Sequence, residues 1–169
     1  MGARVMPSIE IKVRRFSVVS LRPFDDVLTR ISANIGHPDM GTFHNAMIAA
    51  KTYADLEKVV HAAIGPSELM EFVRFDAGEV LRKETGGDKP RIVRLVVGNP
   101  LIMMEMARTV PDAASYAPVT ILVDERADGV HVSSDSMASF LAPYGSPTAL
   151  KVAQDLDAKV ESLIELAAR

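Results

Sequence analysis

Gly98-Asn99-Pro100 follows the strand-like run Ile92 to Val97 and precedes an apolar helical stretch, so a strand, a turn and a helix start meet there. Such a junction can present backbone N–H groups and the positive end of a helix dipole to an anion or a carbonyl. The plainer reading is capping: Asn99 stands at the N-cap and Pro100 at the first helical position, where a missing N–H costs nothing. Pro100 removes one donor and no glycine-rich phosphate loop accompanies it, so capping comes first and a ligand role second. His131 lies mid-strand between Val130 and Val132, where it faces either Arg94 or solvent. With Arg94 or Arg74 as an electrostatic clamp, His131 would act as acid or base on a small anionic substrate.

The other reactive side chains offer less. His37, His44, His61 and His131 share no local spacing of the H-x-x-x-H kind, so no metal site is expected. Glu71 and Asp76 are five apart on one extended segment and point to opposite faces, which does not make an acid and base pair. No G-x-S-x-G elbow surrounds Ser133, Ser134, Ser136 or Ser139. Met103, Met104 and Met106, with Met70 and Met47, can line an adaptable apolar pocket or ligate a soft metal or haem iron. Ordinary core filling is the simpler reading, and no cofactor is expected. The absence of cysteine removes disulfides, thiolate nucleophiles and cysteine-ligated metals together.

The elements that hold these residues follow from periodicity. Ile9, Ile11 and Val13 alternate with Glu10 and Lys12, predicting a half-buried strand whose apolar phase shifts through a bulge to Phe16 and Val18. Phe24, Val27, Leu28, Ile31 and Ile35 predict a helix behind Pro23, stopped by Gly36 and Pro38. The stretch around Gly41 has no clear pattern. Thr52 and Asp55 form a capping-box variant ahead of a second helix with Tyr53, Leu56, Val60, Ala63 and Ile64 on one face. Leu69 to Phe75 is apolar on both faces and reads as an internal strand. Asp76 to Pro90 reads as a surface loop with one helical turn near Val80 and Leu81.

Within the next strand, Arg94 needs a partner or water. The helix after Pro100 is apolar nearly all round and ends at Pro111. Val119 to Val123 and Val130 to Ser134 flank Asp128-Gly129, a hairpin signature. Ser146-Pro147 opens a last helix with Leu150, Ala153, Leu156, Val160, Leu163, Ile164 and Ala167 on one side. About five strands and four helices without strict alternation predict one α+β domain over residues 1–169. Its form is a largely antiparallel sheet packed against helices as a two-layer sandwich.

Composition narrows the partners. With 169 residues, 48% hydrophobic and 24% charged, the chain has the balance of a soluble globular protein. A net charge of −3 argues against nucleic acid. Glu105 breaks the longest apolar run, which begins at Leu101, so no membrane span or membrane partner is expected. The N-terminus lacks an apolar export core, and Met6 stands where a myristoylation signal wants Ser or Thr. A cytoplasmic location is the resulting expectation.

Several segments then occur in a telling order: Gly65-Pro66, Leu69 to Phe72, Asp76-Ala77-Gly78, and Val97-Gly98-Asn99-Pro100-Leu101-Ile102-Met103. Tyr116-Ala117-Pro118-Val119, Asp135 to Ser139, and Ala153-Gln154-Asp155-Leu156-Asp157 follow. From Gly65 onward the chain resembles the bacterial and archaeal family called domain of unknown function 302, while the N-terminal third fits only by pattern. The resemblance implies a compact α+β domain that commonly pairs with itself, and no agreed reaction or cofactor. One departure is Ser134 to Ser139, where a Tyr-Asp-x-Pro-Ser-Ser-like segment is expected of the family. A pocket edged by that loop would be altered here.

Asp76 and Tyr116 fall in the quoted segments and, with Asn99, Arg94 and His131, make up the candidate ligand-binding residues. The first functional reading is a homodimeric small-molecule-binding protein with its pocket between the sheet and the helix start at Asn99-Pro100, open to a small anionic ligand. Apolar residues on both faces of several strands also argue for pairing, because one layer of helices cannot cover them. The alternatives are an enzyme acting on a small anionic substrate and a purely structural assembly module.

Overall fold

The computed structural model describes residues 6–169; Met1–Val5, on which part of the N-terminal reading rests, lie outside them. Along the chain run β1 (Arg15–Ser20), α1 (Phe24–Ser32), α2 (Met40–Ala49), α3 (Tyr53–Ala63), β2 (Met70–Asp76), α4 (Gly78–Thr85) and β3 (Ile92–Gly98). Then come α5 (Pro100–Ala107), α6 (Ala113–Tyr116), β4 (Val119–Arg126), β5 (Gly129–Asp135), α7 (Met137–Leu141) and α8 (Pro147–Ala168). The strands form one antiparallel sheet in the order β1-β5-β4-β3-β2, so the fold is α+β as expected.

Alternation along the strands decides which face is covered. Val18, Val132, Val123 and Val93 lie opposite one another across four strands, and Leu95 and Ile121 form the adjoining row. This face meets Val27 and Ile31 of α1, Met106 of α5, and Ala153, Leu156, Val160, Leu163 and Ile164 of α8 in one buried cluster. The stripe of α8 is amphipathic over 22 residues and needs that apolar cover. Leu150, placed on the stripe by its spacing, is only half-buried.

A smaller cluster sits to one side. Phe43 of α2, Val60 of α3 and Met70 of β2 are buried together, with Met40, Met47, Phe72 and Leu101 packed around them. Two glycines hold this corner close. A Cβ on Gly36 would lie 1.7 Å from the Ala63 carbonyl oxygen, and one on Gly65 would lie 2.4 Å from the Ile35 carbonyl carbon. The Gly65-Pro66 segment is therefore a close backbone crossing, closed by Gly36 and Gly65 both donating to the Leu69 carbonyl.

Four expectations change. Ile9 and Val13 are exposed and unstranded, because β5 gives way to α7 just after the Arg15–Asp135 pair and no strand remains for them to pair with. The patternless stretch around Gly41 is α2, capped by the Asp39 carboxylate accepting from the Thr42 N–H. β2 is an edge strand, not an internal one, with Val73 and Phe75 exposed. Asp76 to Pro90 contains the two-turn helix α4, held by Lys83 and Glu79 and ended by Gly86 in the left-handed region at φ 70°. Among the described residues no helix is long and apolar enough to cross a membrane.

Candidate functional site

Asn99 does cap α5, and it does more. Its Oδ1 accepts from the Leu101 N–H at 2.9 Å while its Nδ2 donates to the Glu68 carbonyl at 3.0 Å. Glu68 sits in the left-handed region at φ 63°, uncommon for a residue with a side chain. The Asn99 bond pins that strained carbonyl, and Lys159 of α8 pairs with the Glu68 carboxylate. The ammonium holds the Glu68 carboxyl below its ordinary value of 4.5. Asn99 thus joins the β3–α5 turn to the Gly65–Glu68 loop, with both ends of its amide used. Pro100 lacks an N–H and the Met103 N–H already donates to the Asn99 carbonyl, so this helix start offers an anion little.

Beside that turn lies a half-enclosed cavity of about 340 Å³. It is at the seam between the two buried clusters. Met40, Phe43, His44 and Met47 of α2 and Phe72 of β2 form one side. Ile102, Met103 and Met106 of α5, Ala117 and Val119 before and in β4, and Leu156 of α8 form the other. The wall is almost wholly apolar, and four thioethers contribute to it. On α2 the spacing of Met40, Phe43, His44 and Met47 puts all four on one face. A 340 Å³ void exceeds any single metal ion and falls well short of a haem, and it lies at the small end of ligand pockets. Among the described residues no group of three or more His, Cys, Asp or Glu is placed to hold a metal.

Of the five candidate residues, only Asn99 borders this cavity. Arg94 lies on the opposite sheet face, donating to Thr120 Oγ1 at 3.2 Å with its guanidinium 5.9 Å from the Phe75 ring. His131 shares that face, but its Nε2 meets Asp128 at 2.8 Å, not Arg94. The His131 contact holds the Asp128 carboxyl below its usual range. Tyr116 stacks on Phe140 with ring centroids 4.7 Å apart, and its hydroxyl meets that of Tyr144 at 2.7 Å, which pushes the Tyr144 hydroxyl well above its ordinary value. Asp76 ends β2, where the Arg82 guanidinium lowers its pKa.

The segment before Ser139 has its own partner. Asp157, buried in α8, accepts from Ser136 Oγ at 2.6 Å, Met137 N–H at 2.7 Å and Ala138 N–H at 3.1 Å. A buried carboxylate thus satisfies the start of α7, so the two last motif segments are halves of one hydrogen-bond network. The residues that the sequence reading missed are on α2: Met40, Phe43 and His44. The available signal was Asp39 as a cap ahead of apolar residues at three- and four-residue spacing.

The fold and cavity define an α+β sandwich of one antiparallel sheet under helices, with an apolar pocket at a helix start. The model of the family described as domain of unknown function DUF302 matches residues 44–167, and the chain belongs to that family. The match begins inside α2, ahead of the Gly65 segment that opens the recognisable motifs. The crystal structure of an uncharacterized conserved protein DUF302 from Bacillus stearothermophilus has the same fold, with a TM-score of 0.62 at 12% identity. The alignment covers 92% of this chain and 98% of that one. No curated protein matches the chain.

Proposed function

We propose that this protein binds a small, mainly apolar molecule in the cavity between α2 and α5. The observation that carries the reading is the wall itself: thioethers, aromatic rings and aliphatic chains enclose about 340 Å³ beside a turn whose polar groups are internally satisfied. Thioethers suit the task, because unbranched, polarizable side chains repack around different shapes. The small anionic ligand expected from the helix start finds few free donors there, and an apolar body fits the wall better.

The test is a titration with the neutral dye N-phenyl-1-naphthylamine. Saturable enhancement at one site per chain is expected, weakened at least tenfold in the cavity-filling variants Ala117→Phe and Met103→Trp. Equal binding by wild type and both variants would exclude the cavity as the site.

A second copy of the chain as partner is supported by the sheet face opposite the helices, where Val19, Val73 and Phe75 are 45%, 42% and 50% exposed. Light scattering at micromolar concentration should give twice the 18.3 kDa chain mass. A monomeric mass would remove pairing without touching the cavity.

A further inference from the structure

We infer that the ligand is a medium-chain monocarboxylic acid, its chain among the thioethers and its carboxylate against His44; this rests on reading the cavity as a binding site. Three observations set the class. The first is the gradient of exposure along the wall. Met106 and Leu156 are buried, Met40, Met47 and Met103 are half-buried, and His44 is exposed. A ligand matching that gradient has an apolar tail reaching into the fold and a polar head at the mouth.

The second is the small number of polar side chains. Only His44 and Asn99 among the lining residues carry a side-chain hydrogen-bonding group, and both ends of Asn99 are committed. His44 lines the cavity and is exposed, which sets its imidazole at the mouth within reach of a head group. An imidazole N–H gives a carboxylate a charge-assisted bond, about twice as strong as the neutral bond it gives an alcohol. No Arg or Lys lines the cavity, and a phosphate dianion would lack counter-charge. A head group of at most one charge fits this lining, and the imidazole N–H favours a carboxylate over a neutral group.

The third is size. At the packing density of protein interiors, about 0.74, a volume of 340 Å³ takes on the order of a dozen carbon atoms. Each methylene buried below that capacity should tighten binding about fourfold, and carbons beyond it should add nothing.

The experiment is calorimetric titration of hexanoate, octanoate, decanoate, hexadecanoate, 1-decanol and methyl decanoate, each below its micelle concentration. The proteins are wild type, His44→Ala and Ala117→Phe. In wild type, affinity should climb about fourfold per methylene to decanoate and level off by hexadecanoate. Decanoate should bind about tenfold more tightly than 1-decanol or the ester. His44→Ala should erase that preference yet keep 1-decanol binding, and Ala117→Phe should lose every ligand. Acid and alcohol binding equally, or a preference surviving in His44→Ala, would overturn the head-group assignment while leaving the cavity reading intact. Affinity independent of chain length would overturn the assignment of the tail. If wild type binds neither acid, alcohol nor ester, the cavity reading and this inference fall together.

Discussion

Leu95, Ile121 and Val123 are fully buried, and helices close over a cluster of β-branched and leucine residues drawn from four strands. Around Phe43 the buried set is three residues, ringed by half-buried methionines, and a cavity lies where the two regions meet. Branched side chains with few rotamers fill space in one way, whereas thioethers fill it in many. The sheet side is therefore read as scaffold and the α2 side as the adaptable wall of a site. This difference is what supports the proposed site in a protein whose polar candidates are dispersed over both sheet faces.

Substitutions should separate the two regions by size of effect. Ile121→Ala opens a hole in the closed core and should cost about 4 kcal/mol in denaturant unfolding. Asp157→Ala strands a hydroxyl and two N–H groups at the start of α7 and should cost about 3 kcal/mol. Asn99→Asp tests the turn between the regions. Capping alone would make it neutral, but the carboxylate loses the donor to the Glu68 carbonyl and sets oxygen against oxygen, so a loss of about 1–2 kcal/mol is expected. Met47→Ala, on the adaptable wall, should cost under about 1 kcal/mol and still alter ligand affinity. If Met47→Ala costs as much as Ile121→Ala, the two regions are equally closed and the comparison fails.

The smallest effect is a pH slope. Because Lys159 lowers the Glu68 carboxyl, the unfolded chain binds this proton more readily than the folded one as pH falls below the ordinary value of 4.5. The pair's contribution is complete above that pH and is lost as pH falls through the lower folded value. Lys159→Met should flatten that part of the stability profile between pH 5 and 3, as read from thermal melts. An unchanged slope would mean that the pair adds nothing to holding the loop on α8.

What could be read from the residues alone follows the same division. α8, the Asp128-Gly129 hairpin and the cap at Asn99 were legible because each carries its signal locally: an apolar stripe, a turn dipeptide, an amide before proline. α2 was not, since its apolar face is only Met40, Phe43 and Met47, diluted by Gly41, Thr42, His44 and Asn45, and only Phe43 is buried. With α2 unread, His44 remained one histidine among four with no place to point. The exposure of β2 was equally hidden, because the composition of Met70 to Phe75 is that of a buried strand and only sheet order reveals an edge. The second bond of Asn99 required knowing that a loop 31 residues earlier reaches the same turn.

The claim that matters most is that the seam between the regions is a site and not a packing fault. The nine methionines allow it to be read directly by ¹³C-methyl labelling and a decanoate titration. The account predicts that the methyl signals of Met40, Met47, Met103 and Met106 move together and saturate, while Met6 and the buried Met137 stay fixed. Methyl shifts confined to Met6, or absent altogether at saturating decanoate, would contradict it.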